Sequence, residues 1–154
     1  MELNISDIIE ATGGRLLGGS PESSISGVTI DSRAAGGGDL FVPLQGTQHD
    51  GHAFIESAIA GGASGSLLQR GNPAGATLAQ AWPGAALVEV ADPLTALGDI
   101  AGLWRRRCSA TVIAITGSNG KTTTKEMTWA ILKEHLPCMK NPGNFNNLIG
   151  LPLS

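Results

Sequence analysis

Thr111-Val112-Ile113-Ala114-Ile115-Thr116-Gly117-Ser118-Asn119-Gly120-Lys121-Thr122-Thr123-Thr124-Lys125-Glu126-Met127-Thr128-Trp129-Ala130-Ile131-Leu132 changes its pattern twice in one run. Residues 111–116 are a short β-branched apolar stretch, the pattern of a parallel strand buried on both faces. A glycine-bounded turn follows at 117–120, and residues 125–132 space their apolar side chains as a helix does. Strand, glycine loop, Lys-Thr and helix in that order predict a phosphate cradle. Glycines let backbone N–H groups close on phosphate oxygens, and the helix N-terminus adds partial positive charge. On this reading Gly117, Ser118, Asn119, Gly120, Lys121, Thr122 and Thr123 hold a nucleotide. Lys121 is the catalytic cation that reaches the β- and γ-phosphates, and the Thr122 hydroxyl coordinates Mg2+. Ile115 stands where the Walker pattern has its first glycine, so the loop is two residues tighter than that of a P-loop kinase or GTPase.

Upstream of the loop, Asp92-Pro93 sets an N-cap and a first-turn proline. Leu94, Leu97, Ala101, Trp104 and Cys108 then mark one apolar helical stripe, closed by Arg105, Arg106 and Arg107 as a solvated, dipole-favoured end. Strands are predicted over 25–30, 40–44, 65–68 and 86–90. Helices are predicted from Asn4 or Ser6 to Gly13-Gly14 and from His52 to Gly61-Gly62. Residues 70–84, rich in Ala, Gly and Pro, read as a loop with at most one helical turn. Ser32 and Arg33 follow Asp31 in a glycine-rich loop, where arginine suits bidentate phosphate contact and Asp31 equally suits a capped type I turn. His49 and His52 flank Asp50-Gly51 with no third ligand at a metal spacing, which reads as a turn and helix start. Asn144, Asn146 and Asn147 are open to both a turn and a binding role.

With 15% charged residues and a net charge of -3, the chain lacks the basic field that nucleic acid or an anionic membrane surface would need. Its longest apolar runs fall short of a membrane span. Cys108 and Cys138 have no metal-ligand spacing, and the polar start shows no signal-peptide pattern, so a cytoplasmic location is expected.

Residues 116–124 resemble the nucleotide loop shared by Mur ligases and folylpolyglutamate synthetases. The segments Asp31-Ser32-Arg33, 40–46 and 50–55 are similar to the UDP-sugar-holding first domain of Mur ligases, and the asparagine-rich 141–153 resembles a segment of the same family. The resemblance implies an ATP-dependent amide ligase of peptidoglycan synthesis, a monomer using ATP and Mg2+. Its partners would be UDP-N-acetylmuramoyl-tripeptide and D-alanyl-D-alanine, and its substrate contacts would come from Ser32, Arg33, Gly46, Asp50, His52, Asn144, Asn146 and Asn147. It also implies an α/β fold in two parts. A small UDP-substrate-binding α/β domain occupies residues 1–84. A linker, a bridging helix and the start of a P-loop-type parallel-sheet ATPase domain occupy 85–154. The family's later glutamate, histidine, modified lysine and C-terminal domain fall beyond Ser154, so the chain alone is expected to be a catalytically inactive part. Two readings stay open beside this one: the family member that adds the third residue, and a stand-alone UDP-sugar or nucleotide-binding module.

Overall fold

The computed structural model describes residues 2–46, 49–143 and 145–154. Strand β1 (Leu3–Asn4) leads directly into helix α1 (Ile5–Thr12), where the Asp7 carboxylate accepts from the Asn4 N–H at 2.9 Å, and Gly13 ends the helix in left-handed conformation. Five further strands form one sheet in the order β2 (Arg15–Gly18), β7 (Ala86–Val90), β6 (Gly65–Gln69), β5 (Asp39–Phe41), β4 (Gly27–Thr29). All neighbours are parallel except β2 and β7. A short β3 (Ser24–Ile25) pairs antiparallel with β1 outside this sheet.

The central strands are apolar on both faces because both faces are covered, as the crossovers of a parallel sheet require. Successive side chains point to opposite sides of a strand. Leu40, Leu67 and Val88 accordingly enter a core with Ile5 and Ile8 of α1 and Leu97 and Ile100 of α4 (Pro93–Arg107). Phe41, Leu68 and Leu87 enter a second core with Ile55 and Ile59 of α2 (Ile55–Ala60) and Leu78 of α3 (Gly75–Ala81). Each fully buried aliphatic side chain contributes about 1.5–3 kcal/mol. The strands β6 and β7 approach so closely that a Cβ on Gly65 would lie 2.4 Å from the Ala86 carbonyl oxygen.

Three sequence expectations change here. Residues 70–84 contain α3, a seven-residue helix rather than a single turn. Ala74 precedes it without a side-chain cap, and the turn before it is closed by the Asn72 side chain accepting from Ala74 N–H at 3.0 Å. The deepest residues of α4 are Ala96, Leu97 and Ile100, so its buried face is rotated from the predicted stripe, and Trp104 is only half-buried. Sheet membership runs past residue 84, because β7 lies between β2 and β6 and α4 packs on the same core.

Finally, residues 111–116 form no strand: Val112 and Ile113 are 62% and 61% exposed. A parallel strand needs neighbours for its hydrogen bonds and faces. The described residues after Cys108 supply one helix, α5 (Lys121–Leu132), and no companion strand.

Candidate functional site

Two groups of candidate residues are built by different means. The first sits at the carboxyl edge of the parallel strands, where open α/β sheets present their ligand-binding loops. Ser32 and Arg33 follow β4; Gly46, Asp50 and His52 follow β5. Asp31 accepts from the Arg33 backbone N–H at 3.0 Å and from its guanidinium at 2.9 and 2.7 Å. The guanidinium, then the backbone N–H, hold the Asp31 carboxyl down at about 2. The Arg33 side chain stays 87% exposed, a charge that faces solvent while tethered at one edge.

Beyond β5 the chain closes on itself. Gln45 pairs with Asp50, Gly46 N–H donates to the His49 carbonyl at 2.9 Å, and Gly51 N–H donates to Leu44 at 3.0 Å. Asp50 caps the following 3-10 turn, Gly51–Phe54, by accepting from His52 N–H at 3.0 Å. The His52 side chain is 8% exposed and fully engaged. Its Nε2 lies 3.1 Å from the Gln69 N–H, and its Nδ1 2.7 Å from the Asp50 carboxylate. A backbone N–H can only donate, so Nε2 accepts and Nδ1 carries the proton given to Asp50. His52 thereby ties the loop after β5 to the end of β6, an engagement that sequence spacing does not reveal. Gly46, Asp50 and His52 are brought together.

The second group is the glycine loop. Gly120, at φ 76°, is the residue before α5, and Gly117 has φ 150°. Thr124 N–H is the first in α5 to bond back, to Gly120 O at 2.8 Å. The amides of Lys121, Thr122 and Thr123 thus have no partner within the helix, the orphan donors of any helix start and a ready cradle for an anion. Lys121 Nζ donates to Gly117 O at 2.6 Å and closes the loop across its own mouth. Thr122 is exposed beside it. Its hydroxyl could serve as one protein ligand of a Mg2+ ion that keeps waters and substrate phosphates among its other ligands.

One turn beyond Lys121, Lys125 donates to the carbonyls of Asn141, at 3.0 Å, and Gly143, while Lys140 pairs with Glu126 and lies 3.9 Å from the Trp129 ring centre. These contacts hold the asparagine segment against α5; the sequence reading assigned none of the four a role. Their only local signal is the four-residue step from Lys121 to Lys125. Within the segment, Asn147 Oδ1 accepts from the amides of Ile149 and Gly150, at 3.2 and 2.6 Å, so Asn147 caps the final turns. Asn146 is exposed, and Asn144 lies outside the described residues. A shallow cavity is lined by Asn146, Asn147, Phe145, Ile149 and Leu153 together with Ile30, which immediately precedes the Asp31 to Arg33 turn. The asparagine segment therefore meets the carboxyl edge of β4.

Two family profiles divide the chain along the same line. Residues 24–105 match the Mur ligase family, catalytic domain, and residues 115–154 match the Mur ligase middle domain. The chain belongs to the Mur ligase family. Among Mur ligases it is 40% identical over 158 residues to the UDP-N-acetylmuramoyl-tripeptide--D-alanyl-D-alanine ligase of Treponema pallidum, covering 100% of this chain and 34% of that protein. The Bacillus subtilis ligase of the same name is 39% identical over 151 residues, covering 97% and 32%. Crystal structure I of MurF from Acinetobacter baumannii superposes with a TM-score of 0.84 at 34% identity, covering 99% of this chain and 32% of that one. MurF from Thermotoga maritima, solved in complex with ADP, gives 0.69 at 33% identity, covering 82% and 28%. The chain spans about a third of the length of the Mur ligases it matches.

Proposed function

We propose that the chain is the opening third of an ATP-dependent ligase that joins D-alanyl-D-alanine to UDP-N-acetylmuramoyl-tripeptide in peptidoglycan synthesis, working as a cytoplasmic monomer. The observation that carries the reading is the glycine loop at the start of α5, where Lys121 Nζ rests on Gly117 O and the amides of 121–123 have no partner within the helix; a shallow cavity lies where the asparagine segment meets Ile30 at the carboxyl edge of β4. One substrate lying across it would place its UDP end on the first unit and its peptide carboxylate toward the glycine loop. No helix among the described residues is long and apolar enough to cross a membrane. We place the division of the chain near Cys108, with residues 1–108 holding the UDP end through Ser32, Arg33, Gly46 and Asp50. Residues 109–154 open the ATP-binding domain, with Asn144, Asn146 and Asn147 turned to the acyl end.

In the reaction, a carboxylate oxygen of the tripeptide bonds to the γ-phosphorus of ATP and ADP leaves. The amine of D-alanyl-D-alanine then adds to the acyl carbon, loses a proton, and inorganic phosphate departs. Two anions must meet for the first step, so the chain's share is positioning and charge neutralisation. The free amides at 121–123 and Lys121 Nζ, once released from Gly117 O, would hold the transferring phosphate. Mg2+, with Thr122 as its ligand here, would supply further neutralisation of phosphate charge.

Lys121→Ala in the complete ligase tests this. Turnover should fall by about a hundredfold or more, with affinity for the UDP-linked substrate changed less than about threefold because the first unit is untouched. Turnover within a few-fold of the unsubstituted enzyme would remove Lys121 from the phosphate site. The isolated 154-residue chain should bind the UDP-linked tripeptide weakly through residues 31–52 and release no phosphate from ATP.

A further inference from the structure

We propose that Lys125 is a positioning residue that holds the asparagine segment against α5 one turn from Lys121, setting where the acyl substrate's carboxylate sits relative to the transferring phosphate. The proposal rests on the ligase reading above for its substrate, but on this chain's geometry for the device.

Lys125 is an unusual helix lysine: its side chain is only 17% exposed. Lysine ordinarily keeps its ammonium in water, and withdrawing that charge is costly unless its donors are matched. Here they are matched by main chain. Nζ donates to Asn141 O at 3.0 Å and to Gly143 O, and Glu126 Oε1 lies 3.5 Å away. Two donors meet carbonyls and the charge faces a carboxylate. The two carbonyls converge because the chain turns between them, at Pro142 and at Gly143 with φ 48°. The turn is then closed by Phe145 N–H to Pro142 O at 3.2 Å and by the Asn141 side-chain amide to Phe145 O at 2.9 Å. Residues 141–147 contain no helix or strand among those described, so no ladder fixes their place. The ammonium does so, from the helix whose first residue is Lys121. Residues four apart lie on one helix face. The same face thus carries the phosphate-directed lysine and, one turn on, the lysine that holds the segment.

The test compares Lys125→Met, which keeps length and loses the charge and donors, with Lys125→Arg, which keeps both. In the complete ligase the Met variant should raise KM for the UDP-linked tripeptide, or lower kcat, at least tenfold while KM for ATP stays within threefold. Arg should recover at least half of the loss on a logarithmic scale. Kinetic constants within twofold of the unsubstituted ligase would overturn the proposal, and so would a matching rise in KM for ATP, which would make Lys125 a nucleotide ligand. Hydrogen exchange on the 154-residue chain stands apart from the assumed reaction. Exchange at the Phe145, Ile149 and Gly150 amides should quicken at least fivefold in Lys125→Met, with Thr124 in α5 and Lys133 at its end unchanged. Unaltered exchange at the first three would sink the positioning role even if the ligase reaction is as proposed. Should the complete enzyme fail to join D-alanyl-D-alanine while exchange responds as stated, the reaction assignment is wrong and the staple stands.

Discussion

Lys121 and His52 show how differently two polar side chains can be committed. Lys121 Nζ holds a single carbonyl of its own loop, a contact that a phosphate can replace at little structural loss. His52 has both ring nitrogens engaged, and its 8% exposed side chain joins two strand ends. Its contribution is structural whatever it touches in a substrate. Truncating it leaves the Gln69 N–H without its side-chain acceptor and removes the ring N–H from Asp50, which keeps the His52 backbone N–H, a loss of about 1 kcal/mol. His52→Ala should therefore lower the denaturant midpoint with an unchanged slope, whereas Arg33→Ala, at an exposed site, should leave the midpoint almost unmoved. Residue types and spacing made the glycine loop legible, because its chemistry is local: glycines, a lysine and a helix start in sequence. The commitments of His52 and Lys125 were not legible, since their partners, Gln69 and residues 141–143, lie 16 to 18 positions away along the chain.

At the scale of elements, α4 is held at both ends by carboxylates. Asp92 accepts from the Thr95 hydroxyl at 2.6 Å and its backbone N–H at 2.9 Å. Asp7 of α1 receives the Arg107 guanidinium at 3.0 and 2.6 Å. The Thr95 hydroxyl lowers the pKa of Asp92, and the Arg107 guanidinium that of Asp7. A carboxyl whose pKa is lower folded than unfolded stabilises the fold above its unfolded pKa, near 3.9. That contribution fades as pH falls through the lowered folded value. Melting temperature should thus be flat near neutrality and decline below about pH 4. Asp92→Ala should cost about 1 kcal/mol at pH 7 and flatten the acid limb, which thermal melts at successive pH values would show. Gly65→Val should be far more damaging, since it sets a side chain against the Ala86 backbone between β6 and β7. The strands β6 and β7 were read correctly because their apolar runs are buried in the sheet, and α4 was found by its cap and length although its buried face is rotated from the expected stripe. Helix α3 escaped because Ala and Gly blur periodicity; only Gly75 and Leu78 of it are buried. The stretch 111–116 misled for the opposite reason: its composition announces a central strand, but a strand's existence depends on neighbours its own residues cannot supply.

Across the whole molecule, the buried residues of the two cores lie within residues 3–100, Leu103 and Trp104 pack on one of them, and among the described residues after Cys108 only Ile149 and Leu153 reach its margin. Residues 1–108 should consequently fold by themselves, with a cooperative melt within about 5 °C of the 154-residue chain, as circular dichroism would show. Loss of the transition on removing 109–154 would mean that the later contacts are structural. Amides at 111–116 should exchange without measurable protection, in contrast to those of β6 and β7. The sheet order has a kinetic side as well. Strand β2 is made early but pairs only with β7, and Arg15 meets Glu89 across 74 positions. The neighbouring parallel pairs β4 with β5 and β5 with β6 close over shorter spans. Loop closure taxes distant pairings most, so the β2 edge should zip last, after the transition state. Substitutions such as Leu16→Ala would then speed unfolding and leave the refolding rate nearly unchanged, while Leu67→Ala in β6 would slow refolding. On a ribosome, residues 15–18 would wait without their sheet partner until β7 has emerged.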